Sequence, residues 1–207
     1  MGATMKRILL LAVLCLAGCQ SVKTTTTSFN DFQTRDPQTF TVAYNPENLE
    51  EKSYARAIAS QLNAIGWREV PDGSIKVAFG YGIDGGRTVL TSSPVFGQTG
   101  GGTTYSSGSV FGAGGSATYS GSSYSPPTYG VVGSQTDSEV VFTRTLRIGM
   151  SEAKSGRKVF ETTVTSVGSS GTFAAVGGCL IAAAFQDFPG ENGKTYTREV
   201  PTESCSG

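Results

Sequence analysis

The chain has 207 residues, only 15% of them charged, and its 16 basic and 16 acidic side chains cancel. Neither sign collects into a block, which excludes the basic footprint that a nucleic-acid partner requires. Histidine is absent, so Ser-His and Cys-His catalysis, histidine metal sites and imidazole acid/base chemistry are excluded together.

The N-terminal segment reads as an export signal. Lys6 and Arg7 precede an apolar run from Ile8 to Ala17, and a polar stretch begins at Gln20. A run of about ten apolar residues is too short to span ~30 Å of hydrocarbon and suits a signal peptide over residues 1–18. It ends in Leu16-Ala17-Gly18-Cys19, which resembles the lipobox of bacterial lipoproteins. The resemblance implies cleavage before Cys19 and lipid on its thiol, with the small side chains of Ala17 and Gly18 admitting the peptidase. Gln20 stands where an aspartate would imply inner-membrane retention. The implied address is therefore the outer membrane, facing the periplasm. Two or three acyl chains give the stable anchoring that one chain alone does not.

Cysteine use agrees with export. Cys15 leaves with the signal and Cys19 is lipidated, so Cys179 and Cys205 remain. An oxidising compartment favours a disulfide between them, closing a loop worth about 3–4 kcal/mol in the chain-entropy model. The alternative is a buried Cys179 beside a free Cys205.

Residues 19–28 are rich in Thr and Ser and read as a flexible tether. The alternating stretch 39–44 predicts a first strand, stopped by Asn45-Pro46. Asn48 with Glu51 resembles a capping box. Tyr54, Ile58, Leu62 and Ile65 then mark one face of a helix that Gly66 terminates. Residues 74–81 alternate again and predict a second strand. From 97 to 133 the chain is dominated by Gly, Ser, Thr and Tyr, with Pro126-Pro127 and no charged residue. Such a segment buries too little apolar surface to offset its ordering entropy, and flexibility is the expectation. Its Tyr105, Tyr119, Tyr124 and Tyr129, with Phe96 and Phe111, offer a second reading as β-hairpin arms or adhesive side chains. Residues 139–150 and 158–167, joined by a turn at Lys154-Ser155-Gly156, predict a hairpin with one wetted face. Phe173, Val176, Leu180, Ala184, Phe185 and Phe188 then recur at helical steps over 172–188. Residues 190–207 are left as a tail.

This order of parts, with Leu62-Asn63-Ala64-Ile65-Gly66-Trp67 at the first helix end and Phe185-Gln186-Asp187-Phe188-Pro189-Gly190 at the last, resembles the DUF4136 family of bacterial envelope lipoproteins. The resemblance covers residues 29–189. It implies a fold and no catalytic residues, because the family's function is unknown. The fold expected is α+β in a single domain, with a mostly antiparallel sheet of four to five strands and two helices packed on one face.

Chemistry adds little to this. Neither Cys179 nor Cys205 has a basic neighbour in sequence to activate it. Asp84, Asp137, Glu139, Glu152, Glu161 and Asp187 are candidates for carboxylate catalysis by type alone, and surface solvation or turn capping explains each more simply. The Gly80–Gly86 turn lacks a phosphate-loop lysine and a calcium ligand series. Trp67 reads as a core lid or a stacking platform. No catalysis, metal or cofactor is expected. Two roles remain: a non-enzymatic, membrane-anchored lipoprotein binding a protein or cell-wall partner, and a small-ligand or lipid-binding periplasmic module with its pocket between sheet and last helix.

Overall fold

A computed structural model describes residues 21–32 and 38–205. The export signal, residues 1–18, and the expected lipid site Cys19 lie outside them. The threonine-rich stretch expected as a tether is instead β1 (Ser21–Asn30). Threonine is β-branched, and its stiff side chain favours extended backbone over a linker's freedom. β1 is held antiparallel on both sides, by β7 (Lys158–Gly168) through Thr26 opposite Val164 and by β8 (Thr195–Pro201) through Thr26 opposite Tyr196. The tail expected at 190–207 is thus partly strand, followed by a single 3-10 turn at Thr202–Cys205.

β2 (Thr39–Val42) leads through α1 (Leu49–Ala64) to β3 (Arg68–Glu69) and β4 (Ile75–Ile83). The Asn48 side-chain oxygen accepts the Glu50 and Glu51 amides at 3.0 and 3.1 Å, satisfying donors that a helix start leaves orphaned. The Glu51 carboxylate accepts the Asn45 amide at 2.8 Å, tying the approach to the cap. α1 buries Tyr54, Ala55, Ile58, Ala59 and Leu62. Gly66, at φ 92, ends it as only a residue without Cβ does easily. Because a helix separates β2 from the next two strands, both β3 and β4 pair with β2 in parallel.

With β5 (Arg87–Gly112) and β6 (Gly115–Glu152), the chain makes one eight-stranded mixed sheet, ordered β3-β2-β4-β6-β7-β1-β8 with β5 pairing β6. This overturns the expected four- to five-strand, mostly antiparallel sheet. Of the strands not expected, β1 and β5 lie in segments of Thr, Gly and Ser, where period-2 apolar alternation is weak, and β3 is only two residues long. The β2–α1 crossover supplies the parallel pairs.

The last helix, α2, spans Gly177–Phe185, shorter than the expected 172–188. Its paired glycines are close-approach sites. A Cβ on Gly177 would lie 2.8 Å from the Tyr54 ring, and one on Gly178 would lie 1.8 Å from the Cys205 carbonyl oxygen. That approach lets the terminal turn lie on the helix, where Cys179 and Cys205 are joined by a disulfide with Cα atoms 4.3 Å apart. Both helices pack on the apolar face of the sheet, where Phe40, Val77, Leu146, Ile148, Met150, Phe160 and Val164 are buried.

The chain divides into two compact units. The larger comprises the described residues up to Arg87 and from Val141 onward, and the smaller is Thr88–Val140. The smaller unit is a ribbon of two paired strands rather than a flexible insertion, reversing at Ala113-Gly114. Gly101 and Gly102, at φ 81 and 109, interrupt the regular strand geometry partway along β5.

Candidate functional site

In the larger unit, the sheet face opposite the helices is uncovered and built from small and hydroxylated side chains. Register places Gly82, Thr145, Thr165, Thr25 and Thr197 in one row across the strands, with Gly80, Arg147, Thr163, Thr27 and Thr195 in the next. Thr25 and Thr197 hydroxyls lie 3.2 Å apart, and those of Thr27 and Thr195 2.7 Å apart. An open depression of about 380 Å³ is lined by Phe29, Ala78, Gly80, Arg147, Gly149 and Glu161 among others. A second, of about 550 Å³, lies against Gly80, Gly82, Asp84, Thr143, Thr145 and Arg147. Nothing occupies the space where Cβ atoms on Gly80, Gly82 or Gly149 would stand. The alternating threonines at 25/27, 143/145, 163/165 and 195/197 were the sequence signal for this face, and a polar strand face passes easily for a linker.

Five of the six carboxylates considered for catalysis, all but Glu139, make hydrogen bonds or ion pairs. Asp84 accepts the Thr143 amide at 2.9 Å and the Gly86 amide at 3.0 Å, and hydrogen bonds from Thr143 hold its pKa below the usual range. Glu152 binds the Arg157 guanidinium and the Ser155 hydroxyl, which lower its pKa in that order. Glu161 pairs with Lys158, and Asp187 with Arg198 at 2.9 Å. Asp137 accepts from the Gln135 side chain at 3.1 Å. Among the described residues, no group of three or more Cys, Asp or Glu side chains is placed to hold a metal ion.

Arg144 escaped the sequence reading. It is only 3% exposed and donates to the Gly168 and Ser170 carbonyls at 3.0 Å and to Ser166 Oγ at 2.9 Å. Burial pushes its pKa down. The three acceptors make it a clamp on the chain leaving β7. Its position was legible in principle, since Arg144 shares strand parity with Leu146, Ile148 and Met150. Trp67 is buried, edge-on to Phe32 at 5.8 Å and to Phe188 at 5.5 Å. With Phe160 4.9 Å from Phe188 and Phe185 5.7 Å from it, aromatic rings fill the region around the end of the last helix. Tyr54 donates to Glu50 at 2.8 Å, and burial, then that bond, raises its pKa.

The ribbon is of a different kind. No Asp, Glu, Lys or Arg occurs between Arg87 and Asp137. Phe96, Tyr105, Phe111, Tyr119, Tyr124 and Tyr129 are each more than half exposed, with Tyr105 at 82% and Phe111 at 80%. Large exposed apolar surface of this extent marks an interaction site more often than a free surface. Among the described residues no helix is long and apolar enough to cross a membrane.

Comparison with known proteins gives a family and little more. One solved structure, a PDZ domain protein from Parabacteroides distasonis, aligns with a TM-score of 0.45 at 12% identity. The alignment covers 93% of this chain and 42% of that one. No curated protein matches the chain. Residues 21–190 match the model of a domain of unknown function, DUF4136, and the chain belongs to that family.

Proposed function

We propose that this chain is an envelope lipoprotein, exported, cut before Cys19 and anchored there by lipid in the outer membrane, whose role is to bind a protein or cell-wall partner without catalysis. The working surface is the ribbon Thr88–Val140. The observation that carries this reading is a ribbon that is uncharged from Thr88 to Thr136 and bears six exposed aromatic side chains. Tyrosine and phenylalanine give large contact area at low entropic cost, and such side chains dominate binding hot spots. The anchor rests on Lys6, Arg7 and the Leu16-Ala17-Gly18-Cys19 sequence.

The test is crosslinking in cells followed by pull-down, comparing the native chain with one in which Thr88–Val140 is replaced by a Gly-Ser turn. A specific partner held by the native chain and lost by a shortened chain that still forms the Cys179–Cys205 disulfide supports the reading. Equal capture without the ribbon overturns it. Cys19→Ser tests the anchor separately, moving the protein from the membrane fraction to the soluble one.

A second reading draws on the open sheet face. The glycine floor beside Arg147 and the threonine rows suits a small ligand rich in hydroxyl groups. Native mass spectrometry of the purified chain then detects a bound mass that Arg147→Ala removes, and a clean unliganded mass counts against it.

A further inference from the structure

A two-stranded ribbon has little stability of its own in water, and a third strand or a packed face ordinarily supports it. Among the described residues β5 takes β6 as its ladder partner and no other strand. One edge of β5 therefore presents backbone N–H and C=O groups that no strand pairs. Natural proteins blunt such edges with charge, proline or bulges. Residues 103–112 of β5, Thr-Thr-Tyr-Ser-Ser-Gly-Ser-Val-Phe-Gly, contain neither a charge nor a proline, and the positive-φ pair Gly101-Gly102 precedes them. On β6, Pro126 and Pro127 lack the N–H that ladder pairing needs. The ribbon thus has, in residues 103–112 of β5, one uninterrupted stretch competent to pair.

We infer that the ribbon's partner is a second copy of this chain, paired antiparallel through residues 103–112 of β5 about a two-fold axis at Gly108. This rests on the reading of the ribbon as the working surface and names its occupant. Three observations select a second copy. The edge carries no charge, so identical edges meet without the like-charge repulsion that opposes most self-pairing. An antiparallel pair of identical edges is isologous and closes on itself, consuming both free β5 edges. In the register centred on Gly108, Tyr105 of each copy stands opposite Phe111 of the other, on the same strand parity, forming two cross-strand aromatic pairs. Those rings are the two most exposed aromatic side chains of the ribbon. The same register sets Ser107 of one copy opposite Ser109 of the other.

The experiment uses the full lipidated chain in detergent micelles, with mass measured by sedimentation velocity across a dilution series. A concentration-dependent dimer is expected. Co-expressing Ser107→Cys and Ser109→Cys copies should give a disulfide-linked heterodimer in preference to either homodimer, because paired strand residues lie within disulfide reach. The double variant Ser107→Lys, Ser109→Lys sets lysines opposite lysines and should weaken dimerisation by about tenfold or more. It should leave the Cys179–Cys205 disulfide, and hence the fold, in place. A chain monomeric at every concentration, or a dimer indifferent to the lysines and without the mixed crosslink, overturns the inference. If the native chain is monomeric yet still captures another protein through the ribbon, the working surface stands and only the second copy falls. If replacing the ribbon changes neither association nor capture, both fall.

Discussion

Among the described residues, β8 and β5 are edge strands of opposite design. β8, at one end of the sheet, is seven residues long, carries Arg198 and Glu199 and closes on Pro201. Arg198 is tied to Asp187, and its guanidinium lies 5.3 Å from the Tyr196 ring centre. Charge, brevity and proline are the means by which a protein keeps an edge from recruiting another strand. β5 has the opposite character over residues 103–112: ten residues, uncharged, aromatic and continuous. One chain therefore both guards an edge and leaves one open, which identifies the open edge as a place to look for function. The larger unit holds itself together, whereas the ribbon has little to gain from being exposed.

The contrast breaks most sharply under truncation. Phe160 is 2% exposed, stacked on Phe32 and edge-on to Phe188. Phe160→Ala should cost roughly 3–5 kcal/mol in urea unfolding, because the cavity adds to the lost transfer energy. A cost below about 1 kcal/mol would mean that this aromatic cluster does not form part of a packed core. Next in size is the covalent tie. Cys205→Ser opens the loop to Cys179 and should cost up to about 3–4 kcal/mol, with no change in dimerisation. If dimerisation falls with stability, the two units are not energetically separate.

How much of this was legible in the sequence depends on the residue type that carries each element. α1 was legible because Asn48, Tyr54, Ile58, Leu62 and Gly66 are unambiguous in spacing and kind. The β6–β7 hairpin was legible because Leu146, Ile148, Met150 and Val164 alternate with polar residues around a Gly156 turn. β1 was not, because threonine on both faces erases the apolar alternation and reads as a tether, and β8 was not, because Thr195-Tyr196-Thr197-Arg198-Glu199 offers little apolar alternation and reads as a tail. For the ribbon, flexibility was the first expectation because glycine and serine are poor strand formers, and the structure follows the second reading, β-hairpin arms, in which strand pairing outweighs that weakness. Arg144 was missed because a charge inside an apolar parity is normally a solvent-facing residue. Its carbonyl acceptors at Gly168 and Ser170 lie at the end of β7 and just beyond it, where the sequence does not specify the path. The open sheet face had a signal in its paired threonines, but nothing in their spacing distinguishes a binding surface from ordinary wetted sheet.

Acid separates the two regions next. Glu152 is held low by Arg157 and Ser155, and Asp84 by Thr143 and Gly86. A carboxylate whose folded pKa is depressed adds stability above its unfolded value and loses it as pH falls through the folded one. The unfolded values are near 4.5 for Glu152 and 3.8 for Asp84, so thermal stability of the larger unit should decline as pH drops below that range. Added salt should mimic part of the loss at neutral pH, because Arg157 and its partners Asp31 and Glu152 are solvent-accessible. Association through the ribbon should not change with pH in this way, since no carboxylate, lysine or arginine lies between Arg87 and Asp137. A dimer that dissociates over the same pH window, with the larger unit still folded, would place a charged surface in the contact and contradict the uncharged edge.

The smallest expected effect on stability is also the most discriminating. Phe111 is 80% exposed, and Phe111→Ser should change unfolding free energy by no more than about 0.5 kcal/mol. The same change removes one member of each aromatic pair across the two-fold axis, and such pairs contribute about 0.2–1 kcal/mol apiece. Dimerisation should therefore weaken severalfold while the fold is unaffected, and Tyr105→Ser should do the same. The two changes combined should be less than additive, since each already breaks both pairs. Full additivity would show that Tyr105 and Phe111 act at separate places, and the register centred on Gly108 would be wrong even if the dimer is real.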